Sequence, residues 1–297
     1  MWKEMKVGLC VSVSPPKCSI SSSNYNVNYR PAVILPGLGN NSSDYKKLKE
    51  SLKDKYGVAT VVAKVSRVDW LRNASGLLDS NYWSGTLKPT PILLWYLKRV
   101  DDAVEEAKQL SSSNPSPHIS FIGHSAGGWL ARLYIQQFPA SLSHISLLLT
   151  LGTPHLPPPK GVIDQTRGLL HYVHQNCPKP LHHPQLKYVC VAGRYIEGAP
   201  LFGKSNTDSD IVTTTTTAPP RKITLRARIV GQGYKQVCGK AEVWGDGIVP
   251  EESAHLEGAI NISLDGIYHS PLASDDHFRP WYGSPAALDQ WVQHLLI

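Results

Sequence analysis

The chain has 297 residues, 41% hydrophobic and 18% charged, a balance that excludes a disordered chain and leaves ample length for a buried core. No uninterrupted apolar run approaches the roughly 20 residues of a membrane-spanning helix, and no collagen, heptad or solenoid period appears. The net charge is +7, from 30 basic and 23 acidic side chains, but without a long basic stripe interleaved with aromatics it points to no nucleic-acid partner.

Residues 1–28 differ in character from the rest of the chain. Ser12, Ser14, Ser19, Ser21, Ser22 and Ser23 crowd them, Glu4 is their sole acid, and Pro15-Pro16 forbids a continuous helix. This composition resembles an organelle transit peptide and suggests a chloroplast or plastid address, with the cytoplasm as the alternative. A secretory signal built on Val7–Val13 and an untargeted flexible tail are the competing readings. In each case the segment stands outside the fold.

From Arg30 onward, strand and helix signals alternate. Ala32–Leu35 predicts a strand buried on both faces, ending at Pro36-Gly37. Ser42 or Ser43 caps a helix reaching Lys53, with Tyr45, Leu48 and Leu52 on one stripe. Val58–Val65 reads as a second strand. Pro91–Leu110 reads as a helix with Pro91 in its first turn, and Ser111–Pro117 as a loop. His118–Ile122 is a third strand, running into Gly123-His124-Ser125-Ala126-Gly127 and then a helix to Phe138. Ile145–Leu151, Tyr188–Ala192 and Ala259–Leu264 are further strands. Pro285–Leu296 is a final helix with Ser284 as its cap.

The alternation predicts an α/β class, with a mostly parallel doubly wound sheet and helices on both faces. Residues 29–297 then form one domain with insertions near 67–90, 154–186 and 197–240. The first two are read as cap or pocket wall, because loops at the carboxyl ends of strands form the ligand crevice of such sheets. The Thr213–Thr217 run inside the third is read as a solvated loop.

Gly123-His124-Ser125-Ala126-Gly127 fits G-x-S-x-G between a strand and a helix, the context that motif requires. The serine must occupy a sharp, strained turn, which Gly123 and Gly127 permit by lacking bulk. The helix then begins at once, so its first N–H groups favour developing negative charge, and the N–H of Ala126 supplies half of an oxyanion hole. Leu38 on the loop after the first strand is the candidate second donor, with Gly39 as the alternative. The glycines of that loop do not continue into a phosphate-binding motif.

A serine hydroxyl needs a base, and the base an orienting acid, in the chain order Ser, Asp or Glu, His. Asp246, between two glycines in Trp244-Gly245-Asp246-Gly247-Ile248-Val249-Pro250, is the candidate acid; Asp208 and Asp210 are alternatives. His269, on the loop just past the last strand, is the candidate base, ahead of His277 and His255.

These residues resemble a known family. Leu35-Pro36-Gly37-Leu38-Gly39, the Gly-His-Ser-Ala-Gly pentapeptide and Gly245-Asp246-Gly247-Ile248-Val249-Pro250 are similar to lipase-like serine hydrolases of the α/β-hydrolase fold. In particular they are similar to soluble plant proteins labelled as related to GPI inositol-deacylases. The resemblance extends over 31–297 and implies a triad of Ser125, Asp246 and His269.

Other clusters carry less. His171 and His174, with His182-His183 nearby, lack the acid or thiol that would complete a metal site, so no metal or organic cofactor is expected. Arg221–Lys240, basic and acid-free, reads as a solvated face, with peripheral contact to an anionic membrane as the alternative. Trp70, Tyr82, Trp83, Trp95 and Tyr96 read as core or pocket wall. Five scattered cysteines form no disulfide framework. The expected activity is hydrolysis of a carboxylic ester, of a small molecule or a lipid, through an acyl-enzyme on Ser125. Acyl transfer by the same triad and a ligand-sensing receptor of this fold are the alternatives.

Overall fold

The computed structural model describes residues 29–110, 118–177, 180, 185–201 and 223–296. The segment 1–28, the loop 111–117, His182-His183, Asp208, Asp210, the threonine run and Arg221 lie outside the described residues.

The apolar runs become strands. In chain order these are β1 (Ala32–Leu35), β2 (Thr60–Val62), β3 (Ile119–His124), β4 (Ile145–Leu151), β5 (Lys187–Arg194), β6 (Ile196–Glu197), β7 (Trp244–Gly245) and β8 (Ile260–Asp265). Six of them form one parallel sheet in the order β2-β1-β3-β4-β5-β8, while β6 and β7 pair as a separate antiparallel ribbon. The helices are α1 (Lys46–Tyr56), α2 (Ser80–Ser84), α3 (Leu94–Leu110), α4 (Ala126–Gln137), α5 (Leu169–Asn176), α6 (Leu225–Cys238), α7 (Glu251–Ala254) and α8 (Pro285–Trp291).

Both faces of the sheet are covered, which is why the strand sequences are apolar without alternation. In β1, Val33 and Leu35 join a core with α3 and α4. Ala32 and Ile34 join a second core with α1 and α8. All four are fully buried. The sheet reverses its winding between β1 and β3, so the loops that follow these two strands open into one crevice. The loop at Leu38 and the turn at Ser125 meet there.

The elements differ from the sequence expectation mainly at their ends. Asn41, not Ser42 or Ser43, caps the first helical segment. Its side chain accepts the Asp44 N–H while the Asp44 carboxylate accepts the Asn41 N–H at 2.9 Å, so the first turn is a 3-10 helix (Ser42–Tyr45) before α1. β2 is an edge strand and pairs only where β1 faces it, so it is shorter than Val58–Val65. The third helix starts at Leu94 rather than Pro91. Ser284 stands at the N-cap of α8, but its Oγ accepts the N–H of Trp281 at 3.1 Å instead of a helix amide, and α8 gives way to a 3-10 turn (Val292–Leu295).

The contact of α4 with β1 is one of the closest backbone approaches at a glycine among the described residues. A Cβ on Gly127 would lie 2.1 Å from the carbonyl oxygen of Leu35. Backbone cannot yield there, so a side chain of any size forces the helix off the sheet. By contrast, a Cβ on Gly233 in α6 would meet nothing within 4 Å. Gly127→Ala is therefore expected to destabilise the protein by about 3 kcal/mol or more, whereas Gly233→Ala is expected to be neutral or to stabilise it by up to about 1 kcal/mol. Urea unfolding of the two variants checks the pair, and equal stability would contradict this packing.

Candidate active site

Between β3 and α4 the chain changes direction at one residue. Ser125 has φ 51° and ψ −126°, a conformation that costs a non-glycine residue about 1–3 kcal/mol. Its surroundings hold it there. Its N–H donates to the Leu151 carbonyl at 2.9 Å, and its own carbonyl accepts Thr153 Oγ1 at 2.8 Å and the Gly128 N–H at 3.1 Å. Gly123 is required because a Cβ there would fall 2.4 Å from the Gly128 Cα.

The structure brings Ser125, His269 and Asp246 together. His269 Nε2 lies 3.0 Å from Ser125 Oγ, and His269 Nδ1 lies 2.7 Å from Asp246 Oδ2. Asp246 follows β7, so the small ribbon rather than the main sheet delivers it. Asp246 is fully buried and fully partnered. Oδ1 accepts the N–H groups of Ile248 at 3.0 Å and Val249 at 2.7 Å, while Oδ2 also accepts the Tyr282 hydroxyl at 2.8 Å. The Tyr282 oxygen in turn accepts the N–H of Gly193 in β5 at 2.8 Å, which ties Asp246 to the main sheet. The alternative histidines do not join this group. His255 Nε2 faces Ser263 Oγ at 3.4 Å, and His277 is exposed in the turn after Asp275.

A second network lies behind His269. His124 Nε2 is 2.8 Å from the His269 carbonyl, and His124 Nδ1 is 2.7 Å from the Tyr45 hydroxyl. A carbonyl only accepts, so Nε2 carries the proton and Nδ1 accepts from Tyr45. The Tyr45 oxygen then accepts the Gly37 N–H at 3.0 Å. This chain runs from the loop after β1 to the backbone of His269. Burial, with the neighbouring His269 second, lowers the pKa of His124 from 6.5 to about 3, so it stays neutral.

Sequence reading placed His124 in the turn but missed this partnership, and it missed Tyr45 and Tyr282 as site residues altogether. Tyr45 showed only its apolar body, as part of a helical stripe. Nothing local distinguishes Tyr282.

A cavity of about 520 Å³ opens beside Ser125, and Leu38 and Ala126 line it with the serine. The Gly37 carbonyl accepts the Asn40 N–H at 3.1 Å, closing a turn in which Gly39 takes φ 77° and Leu38 holds the outer corner. All three insertions contribute walls: Trp70 and Tyr82 from the first, Leu169 and Leu170 from the second, and Val237 on α6 from the third.

Trp83 is not part of this wall. It is 70% exposed, its ring edge-on to that of Tyr82 and its Nε1–H donating to the Leu77 carbonyl at 3.1 Å. Trp95 packs partly buried against the core, its Nε1–H donating to Asn73 Oδ1 at 2.9 Å. Three of the four described cations of the basic stretch are engaged locally. Arg226 lies over the Tyr195 ring, Arg228 donates to the carbonyls of Pro200 and Leu201, and Lys240 pairs with Glu252. Among the described residues no group of His, Cys, Asp and Glu could hold a metal, Cys177, Cys190 and Cys238 are free thiols, and no helix is long and apolar enough to cross a membrane.

A family model described as a PGAP1-like alpha/beta domain matches residues 29–179. The chain belongs to this PGAP1-like alpha/beta domain family. The matched stretch contains Leu38 and the whole turn around Ser125 and ends before Asp246 and His269, which join the site through the geometry above. Among solved structures, the PGAP1-like chain is similar to the lipase BlEst2 of Bacillus licheniformis in its mature form. They share 15% identity over 91% of this chain and 93% of that one, with a TM-score of 0.50. It is also similar to lipase B of Aspergillus fumigatus, with 11% identity over 56% of this chain and 37% of that one and a TM-score of 0.36. The likeness to BlEst2 is one of fold, the α/β-hydrolase fold. No curated protein matches.

The buried neutral histidines have a measurable consequence. Between pH 6.5 and about 3 the unfolded chain protonates His124 while the folded chain does not. The unfolded state binds more protons in that window, so stability rises with pH and is lost on acidification. His155, fully buried and close to Arg132, is lowered in the same direction. From pH 7 to pH 5, His124 alone is expected to cost roughly 2 kcal/mol. Urea midpoints at the two pH values, with His155→Gln to remove its share, check this; a midpoint that does not fall on acidification contradicts it.

Proposed function

We propose that this chain is a serine hydrolase that cleaves carboxylic esters of lipophilic acyl groups. One observation carries the reading. A serine held in a strained turn has its Oγ 3.0 Å from an imidazole whose other nitrogen is 2.7 Å from a buried carboxylate, and the serine faces a largely apolar cavity. Such a turn is costly, and a fold that spends stability on it presents the hydroxyl for chemistry.

The mechanism follows from the donors and acceptors. Asp246 accepts the Nδ1–H of His269, which leaves Nε2 as the acceptor for the Ser125 hydroxyl. As Oγ attacks the ester carbonyl, Nε2 takes its proton, and Asp246 stabilises the imidazolium. The carbonyl oxygen becomes an oxyanion, which the N–H groups of Leu38 and Ala126 receive; Ala126 begins α4, whose dipole adds to the effect. The Gly37 N–H is already given to Tyr45, so it orders the loop rather than serving the oxyanion. His269 then protonates the leaving alcohol. Water, activated by the same imidazole, releases the acid from the acyl-enzyme.

The cavity size falls in the range that encloses a small ligand, and Trp70, Ile92, Leu93, Trp129, Leu130 and Leu169 in its wall suit a hydrocarbon acyl chain. Turnover of p-nitrophenyl esters is expected to rise with acyl length, pass a maximum and fall. Ser125→Ala is expected to lose about 10⁴-fold or more of that turnover. Full turnover by the variant would overturn the assignment of the nucleophile. Wild-type protein that binds long-chain esters without turning them over would favour acyl transfer or ligand sensing instead.

A further inference from the structure

The polar groups in the cavity wall are nearly all spoken for. The amide oxygen of Asn73 accepts from Trp95, and Gln165 donates to Gln236 at 2.5 Å. The Asp164 carboxylate accepts the Thr166 N–H at 2.8 Å and Thr166 Oγ1 at 2.7 Å on one oxygen, and the Gly168 N–H at 2.9 Å on the other. One charged group in the wall is different. The Arg167 guanidinium lies over the Tyr82 ring, 4.8 Å from its centroid, and meets no carboxylate within 4 Å among the described residues.

The position of Arg167 is built rather than incidental. It is one of three non-glycine residues with positive φ among the described residues, at 55°, alongside Ser125. Its N–H donates to the Asp164 carbonyl at 3.0 Å, and its own carbonyl accepts the Leu87 N–H at 2.8 Å. The next residue, Gly168, is seated so closely that a Cβ would fall 2.4 Å from the Gly85 carbonyl oxygen. Two insertions are thus locked together at this point, and the lock holds an unpaired cation in the wall of an apolar cavity. Strain of this kind persists only where the surroundings enforce it, and it concentrates at ligand clamps.

We propose that Arg167 is a specificity-determining residue that binds an anionic group of the substrate, so that the preferred ester is an amphiphile carrying a phosphate or a carboxylate in addition to its acyl chain. This rests on the reading of Ser125 as the nucleophile. The guanidinium beside the Tyr82 ring carries a planar fork of N–H donors, the geometry that binds two oxygens of an anion side by side. Phosphate and carboxylate share this chemistry, and matched substrates separate them.

The test compares three pairs of ligands on wild type, Arg167→Met and Arg167→Lys. In the first pair, 1-acylglycerol is set against 1-acylglycerol 3-phosphate of the same chain. In the second, p-nitrophenyl octanoate is set against the mono-p-nitrophenyl ester of octanedioic acid. Wild type is expected to favour the anionic member of at least one pair by about 10- to 100-fold in kcat/KM, and the favoured pair identifies the anion. Arg167→Met should bring that ratio close to one, and Arg167→Lys should recover part of it. A ratio unchanged in Arg167→Met, or no anionic preference in wild type, overturns the proposal. The third pair is measured by calorimetric binding on the Ser125→Ala background: an ether-linked 1-alkylglycerol 3-phosphate against its neutral alkylglycerol. Tighter binding of the phosphate that is lost on adding Arg167→Met supports the anion site even if no ester is turned over, whereas equal affinities overturn it for phosphate. Loss of neutral-ester turnover in Ser125→Ala tests the nucleophile separately, so failure of either reading is recognisable.

Discussion

A single residue has to carry the chain out of a buried strand and into a buried helix, and the space around it permits only one way of doing so. The Leu35 carbonyl stands where a side chain on Gly127 would go, and the Gly128 Cα stands where one on Gly123 would go. The helix is therefore pressed against β1 and β3, and Ser125 absorbs the whole change of direction at φ 51°. The cost is met by contacts that fix the peptide on both sides, from Leu151, Thr153 and Gly128. The result is a hydroxyl projected into the crevice where the sheet reverses its winding.

The remaining site residues are held by hydrogen bonds that cross from one part of the fold to another. Asp246 arrives on a two-stranded ribbon that has no partner strand in the main sheet, and Tyr282 links its carboxylate to the backbone of β5. His269 is held from two directions, since its N–H donates to the Asp246 carbonyl and its own carbonyl accepts from His124. Through Tyr45 the same line reaches Gly37 and the loop that carries Leu38. His269, Asp246 and the loop of Leu38 are thus parts of one buried polar network, in which a neutral His124 sets no charge beside the His269 ring.

The sheet was legible because strands buried on both faces leave continuous apolar runs. Ala32–Leu35 and Ile145–Leu151 could be read to the residue for that reason. The turn at Ser125 was legible because its chemistry forces glycine at fixed offsets. Asp246 stood out between glycines, and His269 by its place after the last strand. What escaped was information that no local pattern holds. Tyr45 and His124 are 79 positions apart, and a tyrosine in a helical stripe shows its ring and hides its hydroxyl. Tyr282 reaches Asp246 across 36 positions. Trp83 was misplaced because a large aromatic favours burial, yet no residue of the five-residue α2 is buried, and Tyr82 rather than Trp83 packs, partly buried, against the core. The capping Asn41 was passed over for the serines beside it, because only the reciprocal bond with Asp44 distinguishes them.

The claim on which the account stands is that this strained serine, and no other residue, is the nucleophile. Mass spectrometry of the protein after reaction with an alkyl fluorophosphonate measures it most directly. One adduct per chain on the peptide containing Ser125, absent in Ser125→Ala and strongly slowed in His269→Gln, is the predicted result. An adduct on a different residue, or labelling that survives in Ser125→Ala, would contradict it.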